Sequence, residues 1–324
     1  MIPAVSIVIP TYRRPALLQR CLQALMRQDF DHQQVEILVV DDGADAETQR
    51  LVEETALKSD LPLTYLAQPS RRGPAAARNR GWRAASSPII AFTDDDCIPA
   101  EQWISSAIRD FSNGAKVVSG QVRVPIPDQP TEAEKIVAFL ETAEFVTANC
   151  FCERSVLEQV GGLDERFDIA WREDSDLQFR FLESGIPIVK NREAVIVHPC
   201  RKAPWWACLK DERKNAYDAL LYREHPRLFQ DRIPKYRRLV VLYYVFVISF
   251  LLGVGLGLAG YSLAASLALG VWAVSLVVLM DRRLRQTKWS FRQLGQTAVT
   301  SVLTPFLSVY WRLYGAVKYR TLYW

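Results

Sequence analysis

An α/β fold with a mainly parallel sheet, followed by helices that enter a membrane, is predicted by three observations. Apolar strand-like runs alternate with stretches of helical periodicity over residues 5–93, the pattern of strand–helix–strand crossovers with helices on both faces of a sheet. Two acidic clusters, Asp41-Asp42 and Asp94-Asp95-Asp96, directly follow strand-like runs, and parallel sheets bind ligands beyond the carboxyl ends of their strands. Residues 239–280 carry no charged side chain, enough for two passages of roughly 20 residues each through a bilayer.

Taken in order, Val5–Ile9 reads as a strand. Pro15–Gln28 reads as a helix, with Leu18, Leu22, Leu25 and Met26 at helical spacing and Pro15 suited to the first turn. Val35–Val40 is a strand ending in Asp41-Asp42-Gly43, Ala46–Lys58 a helix and Leu63–Leu66 a strand. Gly73–Ala85 is a loop and then a helix, and Ile89–Thr93 is the strand under the triple aspartate. From residue 116 the pattern is more mixed. Lys116–Val124 reads as a strand, followed by a turn rich in proline (Pro125, Pro127, Pro130), a helix over Thr131–Phe145 and a short strand over Val146–Cys152. After the Gly161-Gly162 turn, Trp171–Asp176 opens a helix that ends near Gly185 and buries Leu177, Phe181 and Leu182.

The charge balance, 40 Lys and Arg against 36 Asp and Glu, gives a net +4 and makes no case for nucleic acid. The six cysteines show no C-x-x-C pair and no disulfide framework, and read as reduced thiols of a cytoplasmic domain. The chain opens on a strand, and no signal peptide is expected.

Leu239–Ala259 and Tyr261–Met280 read as a helical hairpin turned near Gly260. Lys235, Arg237 and Arg238 precede it, and Arg282, Arg283, Arg285 and Lys288 follow, so both ends are expected on the cytoplasmic side. Residues 293–318 present an apolar stripe (Val299, Val302, Leu303, Phe306, Tyr310, Leu313, Val317) mixed with Thr and Ser and interrupted by Pro305, read as an interfacial amphipathic helix or a third span. Gly255-Leu-Gly-Leu-Ala-Gly260 matches G-x-G-x-x-G but follows no strand, and is read as helix packing or the hairpin turn. The domains are therefore residues 1–230, catalytic, and 231–324, membrane region.

Three adjacent carboxylates repel. Two unit charges about 4 Å apart cost on the order of 4 kcal/mol at an effective dielectric near 20. A cation, or a ligand carrying one, offsets this, whereas the alternative is a solvated acidic turn. Glu173, Asp174 and Asp176 have a structural alternative too, because carboxylates favour a helix N-terminus by roughly 0.3–1 kcal/mol each; for Asp176, four residues before Arg180, that reading is preferred. A diphosphate substrate needs a divalent cation on hard oxygen ligands, which Asp94–Asp96 can supply and His198 can supplement with a nitrogen. Transfer to a hydroxyl also needs a base, and an acidic pair on a separate element suits it.

Together, Val5–Arg14, Val39–Gly43, Ala77-Arg-Asn79, Phe92–Asp96 and Trp171–Asp174 resemble the family 2 glycosyltransferases of GT-A fold, over roughly residues 4–230. The resemblance implies an inverting transfer from a nucleotide-sugar donor, usually UDP-linked, with Mg²⁺ or Mn²⁺. It implies donor binding by Pro10, Thr11, Tyr12, Arg13, Asp41, Asp42, Arg78, Asp94 and Asp95. It further implies a cation on Asp94, Asp96 and His198, Asp174 as base with Glu173 beside it, and Trp171 on the acceptor side. His198 also reads as a simple strand-end histidine before Pro199. The acceptor is expected to be a lipid or lipid-linked saccharide at the inner or plasma membrane, with the catalytic domain cytoplasmic. Two related readings are weighed. Polyprenyl-phosphate sugar synthases use an acceptor already ionised, which the Glu173-Asp174 pair argues against. Processive synthases carry a Q-x-x-R-W motif, which Trp205–Tyr217 lacks, so non-processive transfer is expected. A membrane-tethered nucleotide-binding module without transfer activity is the alternative outside the class.

Overall fold

The computed structural model describes residues 2–126, 134, 137–200, 204–233, 237–285 and 290–323. Its contacts divide into two units, Met1–Ile126 with Ile136–Cys200, and Pro127–Lys135 with Arg201–Trp324.

In the first unit, β1 (Val5–Thr11), β2 (Val35–Asp41), β3 (Leu63–Ala67) and β4 (Ile89–Thr93) alternate with α1 (Pro15–Leu25), α2 (Ala46–Ala56) and α3 (Pro74–Ala84). They pair in parallel, in the order β3-β2-β1-β4. All seven residues of β1 are buried, as expected of a strand covered on both faces. Val5, Ile7 and Ile9 join one core with Leu18 and Leu22 of α1, while Val8 points the other way to Ala77 and Trp82 of α3. Gly81 lets α3 lie close on β1, because a Cβ there would overlap the Val8 side chain.

Beyond β4 the sheet becomes mixed. β5 (Ile98–Pro99), β6 (Val117–Arg123), β7 (Asn149–Glu153) and β8 (Ile188–Val197) complete an eight-stranded sheet ordered β3-β2-β1-β4-β7-β6-β8-β5. β7 enters antiparallel to both β4 and β6, β8 runs parallel to β6, and β5 runs antiparallel to β8. α4 (Trp103–Ser112), α5 (Arg154–Val160) and α6 (Glu173–Glu183) cover this half. α4 is an element the sequence reading passed over, although it buries Trp103, Ile104 and Ala107. Of the helix expected over 131–145, residues 131–133, 135 and 136 lie outside the described residues, as do Pro127 and Pro130. The described part reaches a 3₁₀ turn at Phe139–Glu141 rather than continuing to Phe145.

In the second unit, α7 (Ala207–Asp211), α8 (Asn215–Glu224) and α9 (Pro226–Arg232) precede α10 (Arg237–Leu258), α11 (Ser262–Leu284) and α12 (Phe291–Lys318). The sequence put the boundary at residue 230, whereas the contacts divide after Cys200. The reason is packing of α8 on α12, so close that a Cβ on Gly315 would lie 2.6 Å from the Ala216 carbonyl oxygen. α10 and α11 are long and apolar enough to cross a membrane, and Gly260 (φ +85°) turns between them, while Gly255 and Gly257 lie within α10. Lys235 and Lys288 lie outside the described residues.

α12 runs unbroken through Pro305 and is inverted relative to a water-exposed helix. Thr297, Thr300, Ser301, Thr304 and Ser308 are buried, while Val299, Leu303, Tyr310, Leu313 and Val317 are exposed.

Candidate active site

Every sequence-predicted site residue lies in the first unit, at the carboxyl ends of β1, β2, β4 and β8, on α3, or at the start of α6. After β4 the chain turns, the Cys97 N–H donating to the Asp94 carbonyl at 3.1 Å. That turn buries Asp95 and Asp96 and leaves Asp94 half-buried. Their repulsion is offset by neighbours. Thr11 Oγ1, at the end of β1, donates to Asp95 Oδ2 at 2.7 Å. Arg14 Nε lies 3.2 Å from the same oxygen, and Arg14 Nη1 3.8 Å from Asp96 Oδ2. Arg78 Nη2, from α3, donates to Asp94 Oδ1 at 2.5 Å. His198 Nε2, just past β8, is 3.7 Å from Asp96 Oδ1.

The three carboxyls are thereby made unequal. Burial pushes Asp94 up, but Arg78, His198 and Arg14 together hold it below the ordinary carboxylate value. Burial raises Asp95 to about 6, with Asp96 and Asp94 adding to the rise and Arg14 and Thr11 opposing it.

A divalent cation fits this cluster. One ligand atom each from Asp94, Asp96 and His198, together with Cys97, lie within 4.8 Å of one another. Carboxylate oxygens with an imidazole suit Mg²⁺ or Mn²⁺. Buried Asp95 Oδ1 and His198 Nδ1 have no hydrogen-bond partner among the described residues, the kind of unsatisfied polarity that a bound ligand or ion removes. Cys97 is a poor fourth ligand, since burial first, and then Asp94 and Asp96, push its thiol well up.

The second acidic pair is arranged differently. Asp41, at the end of β2, accepts from Gly43 N–H at 2.8 Å, Asp45 N–H at 2.7 Å and Tyr65 Oη at 2.9 Å. Asp42 accepts from the N–H groups of Arg72 and Gly73 at 2.7 and 2.8 Å. These carboxylates hold the loops after β2 and before α3. Gly43 sits against the Tyr12 ring, where a Cβ would lie 3.1 Å from its carbons, and the Arg71 guanidinium lies over the ring at 4.4 Å. Pro10 and Thr11 close β1, and Arg13 follows Tyr12 with φ +52°. Arg13 and Ala44 take positive φ in these loops, and Arg172 does so before α6, a conformation costing a non-glycine residue about 1–3 kcal/mol and held only by firm surroundings.

Arg172 (φ +73°) precedes α6, and its Cζ lies 4.8 Å from the centroid of the half-buried Trp171 ring. Glu173 is buried and Asp174 half-buried. Asp174 Oδ1 accepts from Ser175 N–H at 2.7 Å. Burial raises Asp174 above the ordinary carboxylate value, with Ser175, Arg172 and Arg78 opposing. Burial, and then the Asp174 charge, raises Glu173 to about 8. Arg78 Nη1 lies 3.6 Å from Glu173 Oε1, so one guanidinium stands between the triple aspartate and the acidic pair of α6. Asp176 instead pairs with Arg180 at 2.6 Å, the helix-surface pair its spacing predicts.

Two roles escaped the sequence. Arg14 sits one residue past the Pro10–Arg13 segment, and only its sequence position hinted that it meets Asp95 and Asp96. Asn79, quoted with Arg78, is structural: its amide bonds Leu163 in both directions at 2.8 Å and accepts from Trp82 Nε1 at 2.9 Å.

The fold is shared with a mannosyltransferase from Pyrobaculum calidifontis solved with GDP-Man and Mn²⁺, at TM-score 0.58 and 20% identity over 99% of this chain and 88% of that one. Residues 6–160 match the family described as glycosyl transferase family 2, and with the glycosyltransferase relatives below the match supports a family 2 glycosyltransferase. Among relatives, the glycosyltransferase AglE of Haloferax volcanii is 29% identical over 65% of this chain and 71% of its own length. Validoxylamine A glucosyltransferase of Streptomyces hygroscopicus subsp. limoneus is 31% identical over 60% of this chain, which spans about half (51%) of that protein. A GalNAc(5)-diNAcBac-PP-undecaprenol beta-1,3-glucosyltransferase of Campylobacter jejuni is 32% identical over 36% of this chain and 38% of its own length. The family match stops before α6, so Glu173, Asp174 and His198 rest on the geometry above.

Proposed function

We propose that this protein is a membrane-anchored, inverting, non-processive glycosyltransferase that moves a sugar from a UDP-linked donor to a hydroxyl of a lipid or lipid-linked saccharide. The observation that carries the reading is the convergence of Asp94–Asp96, Arg78, His198 and the Glu173-Asp174 pair around one site. Asp94, Asp96 and His198 would hold Mg²⁺ or Mn²⁺, which would supply positive charge to offset the departing diphosphate. Thr11 and Arg14 fix Asp95 and Asp96, and the rigid loops around Tyr12, Asp41 and Asp42 frame the nucleotide. Asp174, raised above an ordinary aspartate, takes the proton from the acceptor hydroxyl as that oxygen attacks the anomeric carbon from the face opposite the diphosphate. Holding donor and acceptor in line supplies much of the rate. Trp171 lies on the acceptor side.

The apolar α10 and α11 support anchoring in the inner or plasma membrane, with the catalytic unit on the cytoplasmic side. The Campylobacter relative, named for an undecaprenol diphosphate acceptor, supports a lipid-linked one. Nucleotide sugars are to be screened with Mn²⁺ or EDTA, then with lipid extracts as acceptors. Metal-dependent transfer from a UDP-sugar, lost in Asp174→Asn while nucleotide binding persists, is the expected result. Normal transfer by that variant removes the base assignment.

A further inference from the structure

The start of α6 carries two carboxyls that face different surroundings. Residues adjacent on a helix point about 100° apart, and here Glu173 turns inward, 4% exposed, while Asp174 is only half-buried. Glu173 is thus shut away from a substrate hydroxyl. Its charged neighbour is Arg78, whose Nη1 lies 3.6 Å from Glu173 Oε1 and whose Nη2 lies 2.5 Å from Asp94 Oδ1. Arg78 is itself buried, and its Nε and Nη1 have no hydrogen-bond partner among the described residues. A buried guanidinium with spare donors is held in place by the carboxyls around it and moves when one is removed.

We infer that Glu173 is a positioning residue: through Arg78 it fixes the Asp94 carboxylate on the donor side, so the acidic pair of α6 serves both substrates, Asp174 the acceptor and Glu173 the donor. This rests on the glycosyltransferase reading above. The length of the Glu173 side chain is what brings its carboxyl beside Arg78, and the variants below vary that reach. A glutamine keeps the length and the oxygen; an aspartate keeps the charge and falls one methylene short.

Mn²⁺-dependent binding of UDP, measured by calorimetry on the full chain, tests this. E173D is expected to raise Kd by about tenfold, the consequence of leaving one side of a buried polar pair unmade. E173Q is expected to stay within about threefold of the wild type. R78K is expected to weaken binding as E173D does, and R78K/E173D to be no weaker than R78K alone. Melting curves identify any variant that fails to fold, and the E173D and E173Q comparison carries the test between two folded proteins. Equal Kd for wild type and E173D, equal losses in E173D and E173Q, or additive losses in R78K/E173D would each overturn the inference. D174N separates this from the underlying reading: transfer retained in D174N removes only the base assignment, whereas no metal-dependent UDP binding by the wild type refutes the glycosyltransferase reading itself.

Discussion

Two acidic clusters occupy the ends of the strands on either side of β1 and live in opposite ways. Asp41 and Asp42, after β2, spend their oxygens on N–H groups of their own loops and on Tyr65. Asp94–Asp96, after β4, lean on the side chains of Thr11, Arg14 and Arg78, and leave Asp95 Oδ1 buried without a hydrogen-bond partner among the described residues. A carboxylate satisfied by backbone is a frame. One satisfied by movable cations, with an oxygen left over, is poised for a ligand. Equal charge at equal topological positions therefore says little until the hydrogen bonds are counted.

The largest effect that sharpens this contrast concerns the base. Asp174→Asn is expected to lower kcat by about 10²–10⁴-fold, the usual scale for a general base, with UDP binding intact; a stopped assay of sugar transfer beside a binding titration checks it. Asp41→Ala is expected to act on stability instead. It leaves three donors unsatisfied, at about 1–3 kcal/mol for a buried group, and a urea midpoint well below the wild type is the readout. An unchanged midpoint would erase the distinction between frame and site. Thr11→Val removes one hydrogen bond to Asp95, and a stability loss of about 1 kcal/mol is expected.

A pH series tests the buried partner of Arg78. Glu173 has its acid form stabilised in the fold, raised from 4.5 to about 8. Its contribution is complete below pH 4.5 and is lost as pH rises through about 8. Urea midpoints should therefore fall over that window in the wild type and fall less in Glu173→Gln; parallel curves would contradict the buried acid. Because Asp174 is also raised, the acid limb of kcat should lie above the ordinary aspartate range.

Much of this was readable from the chain. Strand–helix alternation gave β1 to β4, since each parallel strand is a continuous apolar run, and the uncharged stretch gave α10 and α11. The insertion of β7 between β4 and β6 was not readable, because a pairing such as Phe92 with Cys150 joins residues far apart in sequence. In α12 the periodicity marked an apolar face correctly, yet the small hydroxyls of Thr300, Ser301 and Thr304 are what pack inward; a pattern names a face, not what covers it. The candidate site residues show in the chain as types and spacings. Their division into frame and ligand-ready groups depended on partners such as Arg14 and Gly73 that carry no chemical signature of their own.

The most direct test is a calorimetric titration of UDP, with and without Mn²⁺, into wild type, Asp96→Ala and Asp41→Ala below their melting temperatures. The account predicts Mn²⁺-dependent binding that Asp96→Ala weakens at least about tenfold and folded Asp41→Ala largely keeps. Full binding by Asp96→Ala, or its loss only in Asp41→Ala, would contradict it.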